Sequence, residues 1–207
     1  MSLKASISGI RGIIGESLTP DIIVNYVASF SQILQFGKIL IGRDSRQSGN
    51  QISDIVKATL NMLGRDVVDL GIVPTPVVLY GVLAGSFAGG IIITASHNPE
   101  EWNALKFVNK LGKFLSPAEF NKLTAFYEKK NFSYVDHNRV GSNREDTKIS
   151  SGHIERVLKL VNTPLIKKKN FKVAVDVGLN YLVIAVYKDV YKCEWSFRLG
   201  INYFSGK

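Results

Sequence analysis

The chain reads as an α/β protein: a mixed, largely parallel sheet with flanking helices over residues 1–150, followed by an incomplete second α/β domain over residues 151–207. Three observations predict it. Short β-branched or apolar runs at 38–42, 67–73 and 91–93 alternate with segments whose apolar residues recur at helical spacing, the pattern of a sheet with crossover helices. Helix-start signals, Thr19-Pro20 and Ser116-Pro117, stand just ahead of two of those helical segments. Directly after the run that ends at Ile93 comes a loop rich in hydroxyl, imidazole and amide groups, and open α/β sheets bind ligands beyond the carboxyl ends of their strands.

Residues 5–12, Ala-Ser-Ile-Ser-Gly-Ile-Arg-Gly, alternate small and apolar side chains and predict a strand ending in a tight loop at Arg11. Thr19, Pro20 and Asp21 supply an N-cap, a proline at the first helical position and an early acid, so a helix is expected from about Pro20 to about Leu34. The strand at 38–42 runs into Arg43-Asp44-Ser45-Arg46, where a local Arg43–Asp44 ion pair is expected to shape the loop. Ser48 and Gln51 have capping-box spacing ahead of a helix bearing Ile52, Ile55, Val56, Leu60 and Leu63, which Gly64 stops. A strand at 67–73 precedes Pro74-Thr75-Pro76, which turns the chain into a short helix through Val82. Ile91, Ile92 and Ile93 form a buried strand entered through Gly89 and Gly90, and 104–108 forms the next. Ser116-Pro117-Ala118-Glu119 opens a helix to about Lys129 with both a capping box and a proline at its first position. The polar stretch 131–151 is expected to be a linker, followed by a helix at 153–161 and a buried first strand of the next domain at 171–177.

Composition narrows the functional classes. A chain of 207 residues with 45% hydrophobic content can bury a substantial core. No apolar run approaches the ~18 residues of a membrane span, and the N-terminus lacks a signal-peptide pattern, so a cytoplasmic protein without a membrane partner is expected. The single cysteine, Cys193, excludes an internal disulfide framework and a cysteine-rich metal site. The net charge of +9 raises nucleic acid as a partner, but the basic residues are dispersed, with Lys167-Lys168-Lys169 the only tight run, and no nucleic-acid module signature accompanies them. A basic cleft also suits phosphorylated small molecules.

By itself a loop serine more often caps a turn than reacts. The full string Thr94-Ala95-Ser96-His97-Asn98-Pro99, followed by Asn103 and Lys106, resembles the active-site loop of the α-D-phosphohexomutases, the family of phosphoglucomutase, phosphomannomutase and phosphoglucosamine mutase. Ser8-Gly9-Ile10-Arg11-Gly12, Gly42-Arg43-Asp44-Ser45-Arg46 and Pro74-Thr75-Pro76 match family segments in the same order. The resemblance implies a first domain of the phosphohexomutase type. It further implies that Ser96 carries a phosphoryl group, that Lys106 is the general acid/base, that His97 positions the phosphoserine or passes a proton, and that Arg11 contacts phosphate and tunes its neighbours. Asn98 and Asn103 are expected to hold the loop's shape.

On the same resemblance, the substrates are phosphorylated hexoses and a hexose 1,6-bisphosphate, interconverted as 1- and 6-phosphates. Mg²⁺ would join a phosphoserine oxygen to three aspartates of the second domain. Of that set the chain offers Ser96 alone, so metal binding by it is expected to be weak or absent. Alanine at 104 departs from the usual family glycine and resembles a subgroup labelled phosphoglucosamine mutase or phosphomannomutase. The match fades beyond Asp176, and 178–207 is crowded with aromatics and lysines. The expectation is a shortened or altered mutase chain of impaired activity, or a non-catalytic remnant that binds phosphosugar or a partner. A lone strand at 171–177 would expose unpaired edge groups and favour self-association.

Overall fold

Seven strands share one sheet in the computed structural model, which describes residues 3–169 in full and the backbone of 172–177, 182–187 and 195–199. They are β1 (Lys4–Ser6), β2 (Gly9–Ile13), β3 (Lys38–Arg43), β4 (Val67–Ile72), β5 (Phe87–Ile93), β6 (Trp102–Asn109) and β7 (Asn143–Glu145), in the order β1-β2-β6-β5-β3-β4-β7. β5, β3, β4 and β7 pair in parallel, and β2 runs with them because it and β5 are both antiparallel to β6. Only β1 and β6 point the other way, so the sheet is mixed and largely parallel.

Alternation along the strands builds two cores. Ile39, Ile41, Ile91, Ile93, Leu105 and Phe107 face one way, against α1 (Pro20–Ile33), α2 (Gly49–Met62) and α4 (Pro117–Lys129), with Phe30 and Phe107 in ring contact at 4.8 Å. Leu40, Val68, Ile92 and Val108 face the other way, against Val78 and Val82 of α3 (Thr75–Ala84) and Ile149 of α5 (Lys148–Leu158). The result is a three-layer helix–sheet–helix sandwich.

The cap signals divide. Ser116 and Glu119 form the full reciprocal capping box of α4. Ser48 stands at the N-cap of α2 without a side-chain cap bond: its backbone is already helical (φ −67°, ψ −10°) and not extended, and its hydroxyl accepts from Asn103 Nδ2 at 2.9 Å. Thr19 precedes α1, with its hydroxyl donating to the Asp21 carboxylate rather than accepting from the helix backbone.

Further expectations are corrected up to residue 153, where the helix expected at 153–161 is α5, starting at Lys148. The segment 5–12 is a hairpin of two strands, and Arg11 lies inside β2, paired with Lys4 on one side and Ala104 on the other. Gly9 makes this turn possible: its φ is +116°, and a Cβ there would lie 2.0 Å from the Leu105 carbonyl oxygen. The ion pair of the β3–α2 loop is Asp44 with Arg46, at 3.2 Å, and not Arg43 with Asp44. The polar stretch 131–151 is no free linker. It contains a 3₁₀ turn at His137–Arg139 and β7, and Ser142 donates from both N and Oγ to the Asp66 carboxylate at 2.9 and 2.8 Å, which seats β7 beside β4.

The chain divides into two units, Met1–His153 and Ile154–Lys207. The second includes α6 (Thr163–Lys169), which sequence patterning missed, and an antiparallel sheet of β8 (Lys172–Val177), β9 (Leu182–Tyr187) and β10 (Trp195–Leu199) in the order β10-β9-β8. The expected lone strand therefore has a hairpin partner, with Ala174 opposite Ala185. Its expected first residue, Phe171, and Cys193 lie outside the described residues. No helix among the described residues is long and apolar enough to cross a membrane.

Candidate active site

β5 delivers the chain to the carboxyl edge of the sheet, and the residues from Thr94 to Glu101 loop over that edge before β6 returns antiparallel. The loop is tied at its base. Thr94 N donates to Ala104 O at 3.1 Å, Asn98 N to Ala95 O at 3.2 Å and Trp102 N to Pro99 O at 3.1 Å. Ser96 sits at the crest, exposed, with its N–H donating to Thr94 Oγ1 at 3.0 Å. Its φ is +59°, the left-handed region that side-chain-bearing residues disfavour.

Strand register then sets which side chains meet the loop. Residues directly opposite on paired strands share a face, as do residues two apart on one strand. Arg11 lies opposite Ala104, so Arg11, Ala104 and Lys106 emerge on the same face. Ile10 and Leu105 emerge on the other and enter the core. Arg11 is exposed and donates from Nη1 to Asn98 Oδ1 at 3.3 Å.

A cleft of about 450 Å³ opens at this point. Ser96, His97, Lys106 and Arg11, the four residues singled out from the sequence, all line it, together with Lys4, Ser6, Ser8 and Thr94. Three cationic side chains, those of Lys4, Arg11 and Lys106, thus share the cleft with the exposed Ser96. Lys106 is half-buried, and burial holds its ammonium below the ordinary 10.5; the Asp44 carboxylate opposes that shift and the Arg11 charge adds to it.

Asn103 is fully buried, held by Ser48 on one side and by its own bond to Ala104 N at 2.8 Å on the other. Arg46 went unread as a site residue. Buried beneath the loop, its guanidinium donates to the carbonyls of Ser96, Asn98, Pro99 and Trp102 at 3.1, 2.7, 2.7 and 3.1 Å. The signal that could have found it is its position closing the Gly-Arg-Asp-x-Arg segment.

The Mg²⁺ that the resemblance implies is a hard cation that takes six oxygens, several of them from water, in near-octahedral geometry. Among the described residues no cluster of three or more His, Cys, Asp or Glu side chains is placed to hold a metal ion. The described part of the chain does not by itself fit a Mg²⁺ site.

At the carboxyl edge of the mixed sheet, the exposed Ser96 shares a cleft with the cationic side chains of Lys4, Arg11 and Lys106, a setting that suits an anionic ligand. Residues 3–134 match the family profile described as Phosphoglucomutase/phosphomannomutase, alpha/beta/alpha domain I, and the chain belongs to that family. It is 34% identical over 171 residues to the phosphoglucosamine/phosphogalactosamine mutase of Sulfurisphaera tokodaii, covering 81% of this chain and 37% of that one. It is 38% identical over 168 residues to the phosphoglucosamine mutase of Methanococcus vannielii, covering 81% and 36%. Among solved structures it resembles a phosphoglucomutase/phosphomannomutase family protein from Burkholderia thailandensis, with TM-score 0.61, 26% identity and coverage of 75% and 36%. The fold is also that of a phosphomannomutase from Thermus thermophilus, described there as putative, with TM-score 0.70, 22% identity and coverage of 81% and 38%. The chain therefore spans a little over a third of the length of the curated relatives it matches.

Proposed function

We propose that this chain provides the phosphoryl-carrying first domain of a phosphohexomutase, with residues from 154 onward beginning the family's second domain. Ser96 takes a phosphoryl group from a hexose 1,6-bisphosphate and returns it to the 1- or 6-hydroxyl of a hexose monophosphate. One P–O bond to serine forms as one to sugar breaks. The observation that carries this reading is the cleft itself, which the exposed Ser96 lines together with Arg11 and Lys106, two residues that emerge on a single sheet face.

Each residue has a role suited to its setting. Ser96 on a tied loop offers a hydroxyl in a fixed direction, as in-line displacement requires. Arg11 and Lys4 spread the charge of the transferring group. Lys106, with its pKa lowered, gives a proton to Ser96 Oγ as the phosphoryl group leaves and removes it when the group returns. His97, exposed at the cleft rim, orients the phosphoserine. The relatives' names make glucosamine phosphate the first substrate to test, followed by glucose and mannose phosphates.

A second reading, a non-catalytic domain that binds phosphosugar, is favoured by one observation: the described residues do not complete a metal site. Conversion of glucosamine 1-phosphate with Mg²⁺ and the corresponding bisphosphate separates the two. The first reading expects slow turnover, well below ~1 per second, abolished by both Ser96→Ala and Lys106→Met. Retention of substrate binding with no Ser96-dependent turnover or labelling would favour the second.

A further inference from the structure

We infer that Arg46 is the positioning residue of the reactive serine: its guanidinium, reaching across from the β3–α2 loop, holds the backbone that keeps Ser96 in its left-handed conformation. An arginine carries five N–H donors in a rigid planar fork. Here each has a partner. Nε–H donates to the Asp44 carboxylate at 3.2 Å, and the four Nη hydrogens go to the loop carbonyls of Ser96, Asn98, Pro99 and Trp102. The side chain is 1% exposed, so those carbonyls gain a donor where water has little access.

The arrangement explains how Ser96 persists at φ +59°. A non-glycine residue leaves that region unless its surroundings over-determine it. Arg46 grips the carbonyl of Ser96 itself and that of Asn98 with the same Nη2 nitrogen, which fixes the direction of the chain on both sides of His97. Asp44 holds the guanidinium in plane, and its own N–H donates to Ile93 O at 3.0 Å, anchoring the clamp to the end of β5. With every donor committed, Arg46 has none left for a phosphate. It acts through Ser96 and not on the transferring group.

Lysine cannot substitute, because it has three donors on a flexible stem and no fork. The inference adds to the proposed phosphoryl transfer, but its first test does not depend on that reading. In the parent chain, backbone NMR should show Ser96 carbon shifts of a left-handed residue, and the Asn98 and Trp102 amides should exchange as slowly as those of β5. In Arg46→Lys the Ser96 shifts should move towards those of an extended or averaged residue. Exchange at 94–102 should speed by about tenfold or more, while α1 and α4 stay within about twofold. The rate of Ser96 phosphorylation by glucose 1,6-bisphosphate should fall by about 10²-fold.

Fast exchange at Asn98 and Trp102 in the parent overturns the inference even if Arg46→Lys does not fold. So does an Arg46→Lys chain with parental Ser96 shifts. Absence of phosphorylation in a parent whose loop is ordered counts against the proposed function and leaves the clamp standing on the NMR result.

Discussion

Ser96 occupies a backbone region that costs an L-residue roughly 1–2 kcal/mol, and its hydroxyl has no part in holding that conformation, since it is the N–H that bonds to Thr94. Glycine adopts φ +59° without that cost, although it loses more chain entropy on folding. Ser96→Gly should therefore be more stable than Ser96→Ala by about 1 kcal/mol in urea unfolding, although both remove the acceptor hydroxyl. Equal stabilities would show that the serine is unstrained. Lys106 offers a test with a sign. Its folded-state pKa lies below the ordinary 10.5, so burying the protonated amine destabilises the fold. That penalty is fully present below the folded pKa and disappears as pH rises through 10.5, because the unfolded chain then gives up its proton as well. Lys106→Met should unfold at a higher temperature than the parent near neutral pH, with the gain shrinking in alkaline buffer. A gain independent of pH would place its origin in packing and not in charge. Both residues were legible in the sequence because the string around them is local. Arg46 was legible only as the end of the Gly42–Arg46 segment and not as a clamp: its carbonyl partners lie 50 to 56 positions away, and any residue type supplies a carbonyl.

At the scale of elements, a second buried arginine shows the same chemistry used for structure. α1 has no basic residue in its last turn. Arg65, at the end of the α2–β4 turn, supplies the charge from outside the helix, donating to Ser31 O, Leu34 O and Gln35 O at 2.8, 3.3 and 2.6 Å. Arg65→Leu strips the buried Ser31 carbonyl and the part-buried ones of Leu34 and Gln35 of this donor and should cost about 2–3 kcal/mol of stability. The exposed Arg139, paired with Asp136 on the surface, should lose no more than about 1 kcal/mol on truncation to alanine. Similar losses for the two would contradict the assignment of Arg65 as the cap of α1. Helices α1 and α4 were readable because Thr19-Pro20-Asp21 and Ser116-Pro117 with Glu119 sit at their starts. β7 was not readable. It is three exposed polar residues held by pairing to β4 and by Ser142 on Asp66, and nothing in Asn-Arg-Glu itself favours a strand. The hairpin of β1 and β2 merged into one strand for a related reason: the positive φ of Gly9 is a property of the fold, visible only once β6 lies against it.

For the whole molecule, sheet order does what no local pattern can. It brings residues near 11, 44–46, 96 and 106 to one edge by placing β6 between β2 and β5, with β3 alongside β5. The fold class was legible because period and caps repeat along the chain, and the motif in the β5–β6 loop marked where the chemistry would sit. The order β1-β2-β6-β5-β3-β4-β7 was not legible, since it depends on which apolar faces close over which. That one edge now carries the central claim, that Ser96 accepts a phosphoryl group. Incubation of the purified chain with isotopically labelled glucose 1,6-bisphosphate, followed by peptide mapping, tests it most directly. The account predicts a single phosphate, confined to the peptide that contains Ser96 and absent from Ser96→Ala. Label on any other residue, or undiminished label in Ser96→Ala, would contradict it.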